Sequence, residues 1–186
     1  MEEVLIMYKE IIINNRQINI FDDIFTLDER IKLYSFCRNS SFKIGWEDLS
    51  TIEVQNLKYL YCTLTPEEYN KLDFQSGLAR SKKIDDDLLD NMRPEKCVIN
   101  LSCPTNGYLS HTHPHKKVVL YYANLQWREE WAGETLFFDE QCKEVLFTSA
   151  YVPGRVIIFD GKIPHTIRAQ SSLAPDYRFS ITSFWH

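Results

Sequence analysis

Histidine is missing from the first 110 residues of this 186-residue chain. All five (His111, His113, His115, His165 and His186) come later, so metal or acid–base chemistry is expected in the C-terminal part. Long apolar runs are missing too, and no stretch approaches the ~20 residues that a membrane-spanning helix needs. The start, Met1-Glu2-Glu3-Val4, has no basic segment of the kind that opens a secretory signal. The five cysteines (Cys37, Cys62, Cys97, Cys103 and Cys142) are odd in number and contain no CxxC pair, which disfavours a disulfide framework. A reduced, cytoplasmic protein with no membrane partner is the expectation. A basic surplus is also lacking. Residues 1–99 carry 13 Lys+Arg against 18 Asp+Glu and the remainder 8 of each, which argues against nonspecific nucleic-acid binding. What is present is ordinary for a globular chain. At 44% hydrophobic and 25% charged residues it is neither disordered nor fibrous, and the length fits one domain, 1–186, with a substantial core.

The two halves read differently. In the first, Val4-Leu5-Ile6-Met7 and Ile11-Ile12-Ile13 fit either a strand or a buried helix. Thr26 with Glu29 is a capping box opening a helix over Leu27–Phe36, with Leu27, Ile31 and Leu33/Tyr34 near one face. Thr65-Pro66-Glu67-Glu68 is a second start signal, and a third helix spans Lys83–Met92, ended by Pro94. Phe42–Trp46 reads as a short strand. The second half alternates β-branched and aromatic runs with turns. Strands are expected at Cys97–Leu101, Tyr108–His111, Val118–Asn124, Thr135–Phe138, Glu144–Phe147, Arg155–Phe159 and Arg178–Phe184, separated by turns such as 104–107 and Asp160-Gly161-Lys162. That count suggests a sandwich or jelly roll, with the helices of residues 1–96 supporting a sheet core over 97–186.

The histidines lie on this frame in a pattern. His111 and His113 end a strand-like run, where positions i and i+2 project from one face and can approach one metal together. His165 follows 54 residues later at the start of another strand. Three protein ligands on one side of a metal leave positions open, as catalytic sites require. Arg178 and Ser180 also share a face, a cation and a hydroxyl suited to holding a carboxylate. Each feature also has an ordinary reading (a surface His-x-His, a surface arginine), and it is the ordered set that points to a site.

In that order, His111-x-His113, Tyr121–Trp127, Trp131-Ala132-Gly133-Glu134-Thr135-Leu136-Phe137, Pro153–Phe159, Pro164-His165 and Arg178-x-Ser180 resemble the 2-oxoglutarate- and iron(II)-dependent dioxygenases, in their prolyl 4-hydroxylase-like branch. The resemblance covers roughly residues 97–185. It implies an α+β fold: a double-stranded β-helix (jelly roll) with N-terminal helices packed on one sheet. It implies an oxygenase that hydroxylates a C–H bond, with Fe(II), 2-oxoglutarate and O₂. His111 and His165 match the family's two histidine ligands, and Arg178 matches the residue that grips the distal carboxylate of 2-oxoglutarate. Ser180 matches the hydroxyl assisting it. Tyr122 matches a tyrosine that in some members reaches the same carboxylate, although one of two adjacent strand tyrosines must face the core in any case. The substrate, peptidyl proline or a small molecule, is not specified.

The family's motif is His-x-Asp/Glu, and here the third position is His113. Three neutral imidazoles give the metal no negative charge, where a carboxylate would give one. A His113/His115 pair with His111 outside, or a carboxylate such as Glu134 or Asp160 completing the set, are the other arrangements the residues allow. Asp160 more simply shapes a turn, Glu134 supports the sheet, and His186 is a bystander. Trp127 and Trp131 are expected to wedge a loop against the sheet, and Arg168, Lys116 and Lys117 to be solvated cations. Two other classes stay open: a three-histidine iron dioxygenase that does not use 2-oxoglutarate, and a jelly-roll binding module without turnover.

Overall fold

The computed structural model describes residues 6–45, 60–104 and 109–186. Val4, Leu5, Trp46, Tyr108 and the end of the 104–107 turn lie outside them. The first two strands, β1 (Met7–Ile13) and β2 (Arg16–Asp22), form an antiparallel hairpin in which Ile13 faces Arg16. Asn14 and Asn15 close it, both in the left-handed region (φ 50° and 56°). Two such residues make a turn whose twist matches that of the strands, so Ile11–Ile13 is strand and not buried helix. Helix α1 (Leu27–Arg38) begins at the Thr26–Glu29 capping box, as expected. Its buried face differs from the expected one. Leu33 and Cys37 are buried, whereas Leu27 and Ile31 are exposed.

Next come β3 (Lys43–Ile44) and β4 (Leu60–Leu64). Helix α2 (Pro66–Lys71) follows, capped by Thr65 and Glu68 with Pro66 in its first turn, and then α3 (Phe74–Leu78). The third predicted helix is a π-helical turn at Lys83–Leu88. The remaining strands are β5 (Pro94–Ser102), β6 (Lys117–Tyr122), β7 (Thr135–Phe138), β8 (Val145–Ser149), β9 (Val156–Asp160), β10 (His165–Ile167) and β11 (Arg178–Trp185). Among the described residues no helix is long and apolar enough to cross a membrane.

The described strands make two sheets facing each other: a major one in the order β1-β2-β9-β6-β11-β5-β4-β3 and a minor one in the order β10-β7-β8. This is the double-stranded β-helix. Residues 1–96 are more than a helical support, because they contribute β1 to β4 to the major sheet as well as the helices. Arg155 ties that N-terminal hairpin to β9 through a two-pronged pair with Asp22 (2.8 Å on each prong).

Strand alternation divides the core in two. On β6, Val119 and Tyr121 face the helices together with Ile99, Ile181, Leu33, Cys37, Phe74 and Leu78. Val118, Leu120 and Tyr122 face the space between the sheets with Ile157, Phe159, Phe137 and Tyr151. On β11 all eight residues are buried, and Arg178, Ser180, Thr182 and Phe184 line the inter-sheet cavity. A charged side chain therefore enters the interior because its neighbours in the strand hold the other face.

Candidate metal centre and carboxylate pocket

From His111 to His115 the chain alternates half-buried histidines with exposed Thr112 and Pro114, and His111 and His113 both line the cavity. Two reciprocal backbone hydrogen bonds, His111 N–H to His165 O and His165 N–H to His111 O (both 3.0 Å), register this segment against β10. His113 N–H donates to Gly161 O at 2.7 Å. The result is convergence of His111, His113 and His165, whose ligand atoms all lie within 4.8 Å of one another.

The ring orientations are those a metal needs. Nδ1 of His165 lies 2.9 Å from Ile163 O and Nδ1 of His111 lies 3.0 Å from Leu109 O. A carbonyl only accepts, so the bond partners assign the proton to Nδ1 in both rings and make Nε2 the nitrogen that carries the ligating lone pair. Burial pushes the His165 imidazole well below its usual range, with the neighbouring His111 and His113 acting in the same direction. Burial likewise brings His113 down to about 3, helped by His111, His115 and Lys96. Both are neutral near pH 7, which is the ligating form.

These shifts carry a pH prediction for the metal-free chain. The folded-state values lie below the ordinary 6.5, so the unfolded chain binds more protons once the pH falls under 6.5. The contribution is complete above that pH. For His113 it is lost toward about pH 3, at up to roughly 1.4 kcal/mol per pH unit, and His165 acts in the same direction. Thermal melts in chelator at pH 7.5, 6 and 5 should show a falling midpoint; a flat profile over this range contradicts a neutral His113 and His165.

His115 does not join the trio; it turns to Glu95 and His186. Neither proposed carboxylate joins it. Asp160 pairs with Arg16 (3.4 Å) and caps Lys162 N–H (2.9 Å), and Glu134 lies 3.7 Å from Arg168. Among the described residues that line the cavity there is no Asp or Glu. The cavity is walled by apolar Val98, Val118, Leu120 and Phe159 beside the histidines and by Arg178, Ser180 and Thr182.

Arg178 is 1% exposed and has no carboxylate in salt-bridge range among the described residues. Its Nε donates to Gly133 O (2.8 Å), its Nη1 to Ser180 Oγ (3.3 Å), and its guanidinium carbon lies 5.3 and 4.8 Å from the Tyr122 and Tyr151 ring centres. Nη2 has no partner. A buried cation held on three sides and open on the fourth is a receptor for an anion. Tyr122 supports it by ring contact, with its hydroxyl donated to Thr135 Oγ1 at 2.8 Å.

Sequence reasoning missed the frame around Arg178. Gln170 Oε1 accepts from Arg178 N–H (2.7 Å), and Asn124 Oδ1 accepts from Phe179 N–H (2.8 Å) and lies 2.6 Å from the Tyr151 hydroxyl. Gly133, at φ 88°, brings its carbonyl to Nε so closely that a Cβ there would sit 3.1 Å from Arg178 Cδ. Asn124 and Gly133 fall within the runs that carry the resemblance; Gln170 and Tyr151 have no local signal. Trp127 does wedge its loop, donating Nε1–H to Ala132 O at 2.7 Å and packing on Trp131 and Tyr151.

No protein-family model matches the chain, and no curated protein sequence matches it. Solved structures do. A prolyl-4-hydroxylase from Pseudomonas putida superposes with a TM-score of 0.66 at 13% identity, over 91% of this chain and 92% of that one. A prolyl hydroxylase from Trichoplax adhaerens, in complex with a peptide fragment of the hypoxia inducible factor oxygen degradation domain, gives 0.65 at 14%, over 90% and 82%. A viral collagen prolyl hydroxylase from Paramecium Bursaria Chlorella virus-1, in its 2-oxoglutarate complex, gives 0.62 at 12%, over 90% and 94%. The chain shares their fold. The agreement runs over nearly the whole length, so it includes the N-terminal strands and helices that the sequence resemblance did not cover.

Within this fold the position of Gly161 makes a test of the site. A Cβ there would lie 2.2 Å from His115 O and 3.1 Å from His113 O, both backbone atoms that cannot swing aside. Gly161→Ala should therefore displace the histidine segment, costing about 1–3 kcal/mol of stability and weakening any divalent-metal binding by the three histidines. Unchanged melting and metal titration would show that the segment is not held as described.

Proposed function

We propose that this chain is a 2-oxoglutarate-dependent Fe(II) oxygenase that hydroxylates a C–H bond of a peptide or small molecule. The observation that carries this reading is a single cavity lined both by three convergent imidazoles and by a buried arginine with one donor unsatisfied among the described residues. The donor set fits Fe(II), which imidazole nitrogen suits, and the orphaned Nη2 fits a carboxylate. His111, His113 and His165 would hold the metal, and Arg178 with the Ser180 hydroxyl would bind the distal carboxylate of 2-oxoglutarate. When bound, Fe(II) and 2-oxoglutarate supply oxidative decarboxylation by O₂ coupled to C–H hydroxylation.

The chain's own part is positioning. The Nδ1 hydrogen bonds of His111 and His165 fix which nitrogen faces the metal, and Gly133 and Gln170 fix Arg178 at the head of β11. Apolar Val98, Val118, Leu120 and Phe159 keep bulk water from the cavity floor, which strengthens the Arg178–carboxylate attraction. The peptide held by the Trichoplax enzyme supports a peptide as one substrate class. All five cysteines are free thiols, which supports a reducing, cytoplasmic setting.

A second reading, an iron dioxygenase that does not use 2-oxoglutarate, is favoured by the lack of any carboxylate lining the cavity. One titration separates them. Adding 2-oxoglutarate to the anaerobic Fe(II) protein should give a metal-to-ligand charge-transfer absorption, and admitting O₂ should release succinate. Absorption without succinate, with any substrate offered, indicates a binding module; Fe(II) binding with no response to 2-oxoglutarate favours the second reading.

A further inference from the structure

Outside the pocket the described residues hold a second cluster of metal-ligating side chains: Glu95, His115 and His186. They come from three neighbouring stretches. Glu95 is near the start of β5, His115 lies just before β6, and His186 follows β11, the strand that pairs with both. Backbone bonds hold the three ends together. Arg93 and His186 exchange N–H to O bonds (3.1 and 3.2 Å), and Lys116 N–H donates to Trp185 O (3.1 Å). The sheet thus brings the three positions together.

The side chains complete it. Both imidazoles turn Nε2 toward the same Glu95 oxygen, His115 at 3.4 Å and His186 in closer contact, with the two rings 4.7 Å apart. Their ligand atoms lie within 4.8 Å of one another. As ligands, two imidazole nitrogens and a carboxylate oxygen make the mixed nitrogen and oxygen donor set that suits a divalent transition metal. His115 is anchored, with its side chain 14% exposed, while Glu95 and His186 are about half exposed, so water can fill the outer coordination positions. The cluster is separate from the trio. The Phe184 ring packs on both, 4.7 Å from the His113 ring and 4.8 Å from the His115 ring.

We propose that Glu95, His115 and His186 form a second divalent transition-metal site, of Zn(II) type, that clamps the shared end of β5, β6 and β11 beside the segment carrying His111 and His113. The site does not depend on the oxygenase reading.

Zn(II) and Co(II) titrations of the metal-free chain test it, read by calorimetry and by the Co(II) visible absorption. The wild type should take up two equivalents. His186→Ala and Glu95→Gln, both at exposed positions, should each keep one equivalent and weaken the other at least about tenfold, the lower end of what losing even an outer partner of a metal site costs. His165→Ala should keep the second equivalent and lose the first. A wild type that binds one equivalent, abolished by His165→Ala, overturns the proposal, as do two equivalents in both His186→Ala and Glu95→Gln. Failure of the oxygenase reading looks different: two equivalents still bind, and 2-oxoglutarate produces no charge-transfer absorption.

Discussion

Arg178→Met is expected to weaken 2-oxoglutarate binding about a hundredfold or more while leaving the metal-free chain as stable as the wild type or more stable. The two effects have separate causes. The native side chain is a charge 1% exposed with no carboxylate in salt-bridge range among the described residues, and burying such a charge costs several kcal/mol. Its bonds to Gly133 O and Ser180 Oγ return only about 1 kcal/mol each, a little more because the donor is charged. Methionine fills similar space against Tyr122 and Tyr151 without the charge, so stability should hold or rise by up to about 2 kcal/mol. Binding is the other side of the same arrangement. The orphaned Nη2 gains its partner only when a carboxylate enters, and losing a charge-assisted pair should cost about 3 kcal/mol or more, roughly a hundredfold in affinity. Calorimetric titration with 2-oxoglutarate and thermal melts read the two effects on one variant. Wild-type affinity in Arg178→Met removes the arginine from the site; strong destabilisation with lost binding would mean a structural role only.

His113→Ala should weaken Fe(II) binding by about a hundredfold or more, and His113→Glu should restore it. The trio is a minimal set, and alanine leaves two ligands on opposed backbone segments with no further His, Cys, Asp or Glu lining the cavity among the described residues. At metal concentrations near a hundred times the wild-type dissociation constant, bound metal stabilises the fold by about 2.7 kcal/mol. A hundredfold loss of affinity removes most of that, so the metal-dependent rise in melting temperature should nearly vanish. Glutamate reaches about as far as histidine from the same backbone, which Gly161 O holds at 2.7 Å, and it adds the negative charge the native set lacks. The glutamate variant should bind Fe(II) at least as tightly as the wild type, and its charge-transfer absorption should shift as the metal becomes less positive. Wild-type affinity in His113→Ala would mean that His113 is a neighbour of the metal and not its ligand.

Much of the site was legible in the sequence because strand chemistry is local. A period of two places His111 with His113 and Arg178 with Ser180, whatever the rest of the chain does. The helix starts at Thr26 and Thr65 were legible for the same reason, since a capping box closes within four residues. The β1–β2 hairpin was only half legible. Asn14-Asn15 is a weaker turn signal than Asn-Gly, and the apolar runs beside it have no decisive period.

By itself, then, the sequence determined the residue types of the site, their same-face pairs and the order of strands that carries them. Tertiary structure alone decided which pairs meet. It sent His115 to Glu95 and His186 instead of to the trio, because the cross-strand bonds of β11 bring the ends of β5 and β6 together there. It kept Glu134 and Asp160 out of the cavity, because Asp160 pairs with Arg16 and Glu134 lies by Arg168. It also left Leu27 and Ile31 in solvent, because the face of α1 against the sheet is chosen by what β11 presents to it. Each of these depends on contacts between residues far apart in the chain, and the free energy of such contacts belongs to the assembled sheet, where no local pattern records it.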